Sequence, residues 1–466
     1  MNMRLAAILV LIPGMALAAE KPIEIIKLDR KDPVVYEKEI DPIFRNKCIV
    51  CHSGKELKGK FDASSYASVL KGGKSGSVII PGKSADSLLI KLAGKTMKPT
   101  MPPKDEEPLT PQELALLKLW VDQGAKPPSA VIERPKVILG ALPSSVTPVR
   151  AVAINADKSL IAAGRANQIY LYNAKGDHVK TLVDPNLKLD GKPVAGAHVA
   201  LVESLAFSQD GKLLASGSYQ EVTLWDPQTG AVKQKLTGFA DRVVALAFSK
   251  NGLLATGGGA PTEDGELKIF EAATGKLLVD IKSAHSDTVF GVSFNPDGKM
   301  IASCGADKFV KTFEIPSGKL VKSFEGHTHH VLDVGWRGDG KFLASAGADN
   351  AIKVWDFEKG EQTRTMNGHT KQVTRLQFVG ATPRIVTCSG DQSVRMWNVD
   401  SGGTERQFQA GGDFLYAVSV SPDGALVAAG GEDGTIRLYN GTNGQLIKQL
   451  LPPGAETATK TEAPKK

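Results

Sequence analysis

The chain has 466 residues, of which 42% are hydrophobic and 23% charged, and it carries a formal net charge of +7. That length exceeds one ordinary core, so two or more domains are expected, and the composition is that of globular protein. So modest a positive excess does not point to a nucleic-acid partner.

The first residues read as a targeting segment. Met1–Arg4 is a short basic start. Leu5–Ala18 is an apolar run of signal-peptide length, interrupted by Pro13 and too short for a membrane span. Ala16-Leu17-Ala18 is a small-x-small cleavage site, so loss of residues 1–18 is expected to leave 448 residues beginning at Ala19. No later stretch is apolar for long enough to cross a bilayer. The expectation is an exported, periplasmic protein with no transmembrane segment in the mature chain.

Residues 19–125 form the first expected domain. Val35–Lys47 reads as a helix, with Ile40, Ile43 and Phe44 at i, i+3 and i+4. It leads into Cys48-Ile49-Val50-Cys51-His52. A Cys-x-x-Cys-His run is the attachment site of a c-type haem. Cys48 and Cys51 would each form a thioether to the haem edge, and His52 would be the first axial ligand of the iron. A thioredoxin-type pair would need a surrounding βαβ pattern, which is missing. A zinc site would need a second ligand pair nearby, whereas the next cysteine is Cys304. Export agrees with the motif, because haem c is attached on the outer side of the cytoplasmic membrane. One covalent haem c is expected. From Lys47 to Lys104 there are 11 lysines against three acids, Glu56, Asp62 and Asp86, which reads as a docking face for an acidic redox partner.

A second helix follows Thr110, which supplies an N-cap before Pro111 at the first helical position. Leu114, Leu116, Leu117, Leu119, Trp120 and Val121 give its apolar face, and Gly124 ends it. Between the two helices stand Gly72-Gly73-Lys74-Ser75-Gly76, Pro81-Gly82-Lys83-Ser84, Ser87-Leu88-Leu89 and Met101-Pro102-Pro103. Together with Leu109-Thr110 and Trp120-Val121-Asp122-Gln123-Gly124-Ala125, these runs resemble the planctomycete-type cytochrome c domain. The resemblance implies a small all-α, class I-like cytochrome fold. It also implies Met101 as the second axial ligand, since Met-Pro-Pro is the family's ligand motif. The three prolines of Lys98–Pro103 suit an extended loop that presents a thioether; Met97 is the nearby rival. His/Met ligation raises the potential and favours electron transfer over small-molecule activation.

Residues 126–136 contain three prolines and read as a linker. Residues 137–452 repeat. Tyr172, Trp225, Phe270, Phe313, Trp355, Trp397 and Tyr439 each end an alternating apolar strand, at gaps of 53, 45, 43, 42, 42 and 42 residues. A period near 42 with four short β runs per unit is the signature of a β-propeller. The insertions Asp184–Gly196 and Pro261–Gly265 account for the two longest gaps. Asp210-Gly211, Asn251-Gly252, Asp297-Gly298, Asp339-Gly340 and Asp423-Gly424 mark hairpin turns.

Gly326-His327, Gly368-His369, Val354-Trp355-Asp356 and Leu224-Trp225-Asp226 make these units similar to WD40 repeats. The resemblance implies a buried polar network of His327, Ser345, Asp349 and Trp355 in the fifth unit, and of His369, Thr387, Asp391 and Trp397 in the sixth. The fourth matches in part, through His285, Ser303, Asp307 and Phe313; the other four units lack an opening histidine in this reading. His327, His329 and His330 look like a metal cluster, but the network claims the first. Seven units make an all-β seven-bladed propeller, each with its own fourth strand; Lys136–Leu142 could still add one. Cys304 and Cys388 fall on equivalent strands with a whole blade between them. That exceeds the roughly 7 Å reach of a disulfide, so both are expected to be buried thiols. Residues 453–466 read as a disordered tail.

The multidomain chain is thus expected to be an exported electron carrier rather than a catalyst, with the propeller as a docking scaffold for a further protein. One alternative is a redox enzyme whose propeller holds a second catalytic cofactor, as in cytochrome cd1 nitrite reductase. That propeller has eight blades without WD40 signatures, and no second haem motif occurs here. A haem-based redox sensor is the third reading.

Overall fold

In a computed structural model the chain divides into two compact units, Met1–Lys136 and Val137–Lys466. The structure describes residues 22–30, 32–49, 52, 58–103, 108–128, 148–261, 264–408 and 412–451. The signal peptide, Cys51, the end of the linker, Lys136–Leu142 and the tail lie outside them. No described helix is long and apolar enough to cross a membrane.

Among the described residues of the first unit, every regular element is helical. A π-helical turn, Tyr36–Ile40, runs into α1, Asp41–Lys47, which has Pro42 in its first turn. Short helices α2 (Tyr66–Lys71) and α3 (Leu88–Ala93) follow, then α4 (Pro111–Asp122). Thr110 and Glu113 form a reciprocal capping box on α4, satisfying amide donors that the helix start leaves unpaired. The core joins the two helices foreseen from apolar spacing. Ile40, Phe44 and Trp120 are fully buried, and the Phe44 and Trp120 rings meet edge to face at 6.3 Å. Tyr36 and Tyr66 complete the cluster, with centroids 5.4 and 6.4 Å from that of Trp120. Truncating a buried ring of this size typically costs about 3–5 kcal/mol.

The second unit consists of antiparallel sheets. Five have four strands in sequence order, one has seven, and Lys188–Leu189 with Lys192–Pro193 forms a two-stranded sheet. The seven-stranded sheet fuses the second and third repeats, because the single strand Val232–Phe248 closes one and opens the next. The first strand of each repeat lies beside that of the next, and Val149–Ile154 of the first repeat lies beside Leu415–Val420 of the seventh. Each repeat carries its own fourth strand, from His178–Leu182 to Leu446–Leu450. The hairpin turns explain the Asp-Gly and Asn-Gly pairs: Gly211, Gly252, Gly298, Gly340 and Gly424 have φ between +70° and +80°, where a side chain would be strained. Cys304 and Cys388 are fully buried, unbridged thiols, and burial pushes Cys388 up to about 12.

The polar networks form in the fourth, fifth and sixth repeats. In the fifth, His327 Nδ1 donates to Asp349 at 2.9 Å, Nε2 accepts from Ser345 at 2.8 Å, and Trp355 Nε1 donates to Ser345 at 2.8 Å. In the sixth, His369 bonds Asp391 at 3.0 Å and Thr387 at 2.8 Å, and Trp397 caps Thr387 at 2.8 Å. His285, Asp307 and Ser303 repeat this at 2.8 Å, with Phe313 in the indole's place. One expectation is corrected: the second repeat does have a histidine. His198 Nε2 lies 2.7 Å from Ser216, which also accepts from Trp225 Nε1 at 2.8 Å. Glu221 replaces the aspartate at 2.5 Å, and Lys235 links it to buried Asp184 at the start of the insertion. The signal was present in the sequence, since the His-to-hydroxyl spacing is 18 residues in all four repeats.

Candidate functional site

Cys48 caps α1, and its amide still donates to the Phe44 carbonyl at 2.9 Å. Beyond the helix the His52 amide donates to Cys48 O at 3.0 Å and to Ile49 O at 3.2 Å. Cys48 and His52 are therefore held one hydrogen-bonded turn apart. Both are half-buried, and Cys48 packs against the core that holds Phe44 and Trp120. Buried Phe61 meets the His52 ring edge to face at 5.2 Å, and the Ala63 amide donates to the His52 carbonyl at 2.6 Å. Sequence reasoning missed Phe61, because nothing local marks a residue that folds back onto the histidine. A glycine loop supports it: a Cβ at Gly73 would lie 3.0 Å from that of Phe61 and 2.7 Å from Gly59 O.

Met101 comes from a different element. Its amide donates to Leu92 O at the end of α3 at 3.1 Å, its side chain is half-buried, and Pro102 beside it is buried. The Met97 amide bonds the neighbouring Lys91 carbonyl at 3.2 Å, but its side chain is 47% exposed. The loop before α3 is fixed to α4. Gly82 N donates to Val121 O at 2.7 Å, and Ser84 bonds Asp122 through its amide at 2.9 Å and its hydroxyl at 2.8 Å. Burial opposes charge on Asp122, but the Ser84 bonds and Lys118 outweigh it and hold the carboxyl below its ordinary range. Lys60, Lys71, Lys74, Lys83 and Lys98 are exposed.

A cysteine sulfur and an imidazole one hydrogen-bonded turn apart fit covalent haem attachment with one nitrogen ligand, and a thioether such as Met101 fits a second, softer ligand. In the repeat unit His327 is consumed by its network, His329 is exposed, and the His329 and His330 rings lie 4.5 Å apart.

Fold and site together define a helical domain bearing a thiol–imidazole pair, joined to an all-β repeat domain. The family described as Planctomycete cytochrome C matches residues 48–105. The WD domain, G-beta repeat, matches 191–226, 276–314, 318–356, 360–398 and 404–440. The chain is a fusion of a planctomycete-type cytochrome c domain with WD40 repeats.

Curated relatives match over part of the chain. WD repeat-containing protein SL1-17 of Schistosoma mansoni is 33% identical over 119 residues, covering 25% of this chain and 38% of that protein. U3 small nucleolar RNA-associated protein 12 of Saccharomyces cerevisiae is 32% identical over 114 residues, covering 24% and 12%. Anaphase-promoting complex subunit cdc20 of Dictyostelium discoideum is 27% identical over 175 residues, covering 37% and 32%. The chain thus spans well under half the length of each of these relatives.

Proposed function

We propose that the protein is an exported one-electron carrier whose repeat domain, a seven-bladed propeller, docks it to a protein partner. The observation that carries this reading is the pairing of Cys48 and His52 one hydrogen-bonded turn apart within Cys-Ile-Val-Cys-His. Cys48 and Cys51 would hold one haem c covalently, His52 would ligate its iron, and half-buried Met101 would be the second ligand. When bound, the haem supplies a one-electron iron couple, and a thioether ligand raises its potential. The chain's own residues do the rest. Phe61 fixes the His52 ring, the Leu92 carbonyl anchors the Met101 backbone, and the glycine loop backs Phe61. With His52 and Met101 both holding the iron, electron transfer would be favoured over catalysis there.

The exposed lysines of the first domain suit a partner with an acidic face, and such contacts are weak and short-lived. The signal-peptide pattern of residues 1–18 supports a periplasmic location. Pyridine haemochrome analysis of the purified protein tests the reading. One covalent haem per chain is expected, with none after Cys48→Ala and Cys51→Ala, while the repeat domain stays folded. A protein that retains a redox cofactor after both changes would overturn the electron-carrier reading.

A further inference from the structure

The first strands of the seven repeats surround a cavity of about 660 Å³. Among the described residues, six of the seven junctions between neighbouring first strands carry a polar side-chain contact. Arg150 faces Glu203 at 3.8 Å between the first and second repeats, and the Ser204 hydroxyl donates to Val243 O at 2.8 Å between the second and third. Ser293 accepts from the Trp336 amide at 3.1 Å, and Asp333 from the Leu376 amide at 3.0 Å. Gln377 accepts from the Val420 amide at 2.9 Å, and Ser419 accepts from the Ile154 amide at 3.1 Å. The junction of the third and fourth repeats has no such contact between strand 243–248 and Val289–Phe294, because Ala247 stands in the third repeat where Ser293, Gln377 and Ser419 reach forward to the next first strand.

Arg375, on the first strand of the sixth repeat, reaches that junction from the far side of the cavity. One terminal nitrogen of its guanidinium donates to Phe290 O and Leu332 O, each at 3.0 Å, and the other to Val244 O at 3.0 Å. It therefore grips Val244 of the third repeat and Phe290 of the fourth together.

The position is singular. The residue that follows the strand's register shift is Ala151, Ala245, Gly291 or Ala417 in four repeats, and Asp333 and Arg375 in the fifth and sixth. Small residues leave the space that the two charged side chains enter. A Cβ at Gly291 would lie 2.8 Å from Asp333 Oδ1 and 2.9 Å from the Cys304 sulfur. The part-buried guanidinium finds its acceptors in the three carbonyls, and Asp333 lies close enough to attract its charge.

We infer that Arg375 is a tie across the cavity that binds the third and fourth repeats to each other. It provides at their junction the polar contact that their own first strands lack. The fork geometry is essential, since an ammonium is a single point and cannot span carbonyls on three strands.

The test is hydrogen–deuterium exchange on the full chain, comparing Arg375→Met made together with Asp333→Asn against Asp333→Asn alone. The asparagine still accepts from the Leu376 amide and leaves no uncompensated carboxylate. Protection of segments 243–248 and 289–294 should fall at least about tenfold, or about 1.4 kcal/mol of opening free energy. Segments 149–154 and 415–420 should change by less than about threefold. Ser419→Ala should reverse this pattern. If the double variant does not fold, Arg375→Lys decides: loosening centred on the third and fourth repeats supports the tie. An even loss around the domain, or none at that junction, in either variant overturns it.

Discussion

The Ser84 hydroxyl donates to the Asp122 carboxylate at 2.8 Å and joins the Pro81–Ser84 turn to the end of α4, 38 residues away. Lys118 donates to the same hydroxyl at 2.6 Å, so each polar atom of the buried serine has a partner. Ser84→Ala should destabilise the first domain by about 1–2 kcal/mol through loss of these bonds. The measurement is hydrogen exchange in the α4 segment, which should speed up without change in the repeats. Asp122 has a lowered pKa, so its contribution is complete above its ordinary value of 3.8 and disappears as pH falls through the folded value.

The two methionines should separate cleanly. Once haem is attached, Met101→Ala should abolish the far-red sulfur–iron band, lower the potential and admit carbon monoxide to the ferrous iron. Met97→Ala should leave all three nearly unchanged. Loss of the band in Met97→Ala alone would move the ligand to Met97, and a band indifferent to both changes would exclude thioether ligation.

The repeat networks make stability depend on pH. Burial opposes charge on Asp307 and Asp349, yet the histidine bonds win and hold both at about 2. Their contribution is fully present above their ordinary value of 3.8 and is lost as pH falls through about 2. Burial lowers His285 and His369 below 6.5, against the pull of Asp307 and Asp391. The unfolded chain therefore takes up protons first, and stability drops as pH falls below about 6.5. Both effects act in the same direction. Thermal melts of the repeat domain should shift down from pH 7 to pH 4. A melting temperature unchanged over that interval would contradict the assignment of neutral, buried histidines.

Ser216→Ala should cost as much as Ser345→Ala, about 2–4 kcal/mol, because each leaves an indole N–H and an imidazole nitrogen buried without a partner. Urea unfolding of the two variants gives the comparison. A cost near zero for Ser216 would mean that Glu221 does not sustain the network.

If the lysine face steers an acidic partner, the reduction rate should fall as ionic strength rises from about 0.01 to 0.15 M and the screening length shrinks from roughly 30 to 8 Å. A flat rate would count against electrostatic docking.

Local chemistry made much of this legible. The α4 start was visible because Thr110, Pro111 and Glu113 act within one turn, and the hairpins because Asp-Gly and Asn-Gly favour positive φ. The fifth and sixth networks were readable because Gly-His and the 22-residue His–Asp spacing recur. His198 escaped notice because its acid is a glutamate 23 residues on, which breaks the 22-residue His–Asp spacing. Phe61 and Arg375 were invisible. Each acts on residues brought close only by tertiary folding, and Arg375 draws its three acceptors from three different repeats. The joining of the second and third repeats was hidden too, because Thr237–Arg242 bends within a strand and carries no turn pair.

That continuous strand, Val232–Phe248, bears on how the domain could be re-engineered. Between the fourth and fifth repeats the passage is the loop carrying His329, where new termini or an inserted peptide would interrupt no ladder. Between the second and third repeats there is no loop to open. A circular permutant cut there would sever the one strand that the second and third repeats share, whereas one cut between the fourth and fifth repeats would keep every strand whole. The second and third repeats should therefore be inherited, swapped or deleted as a pair.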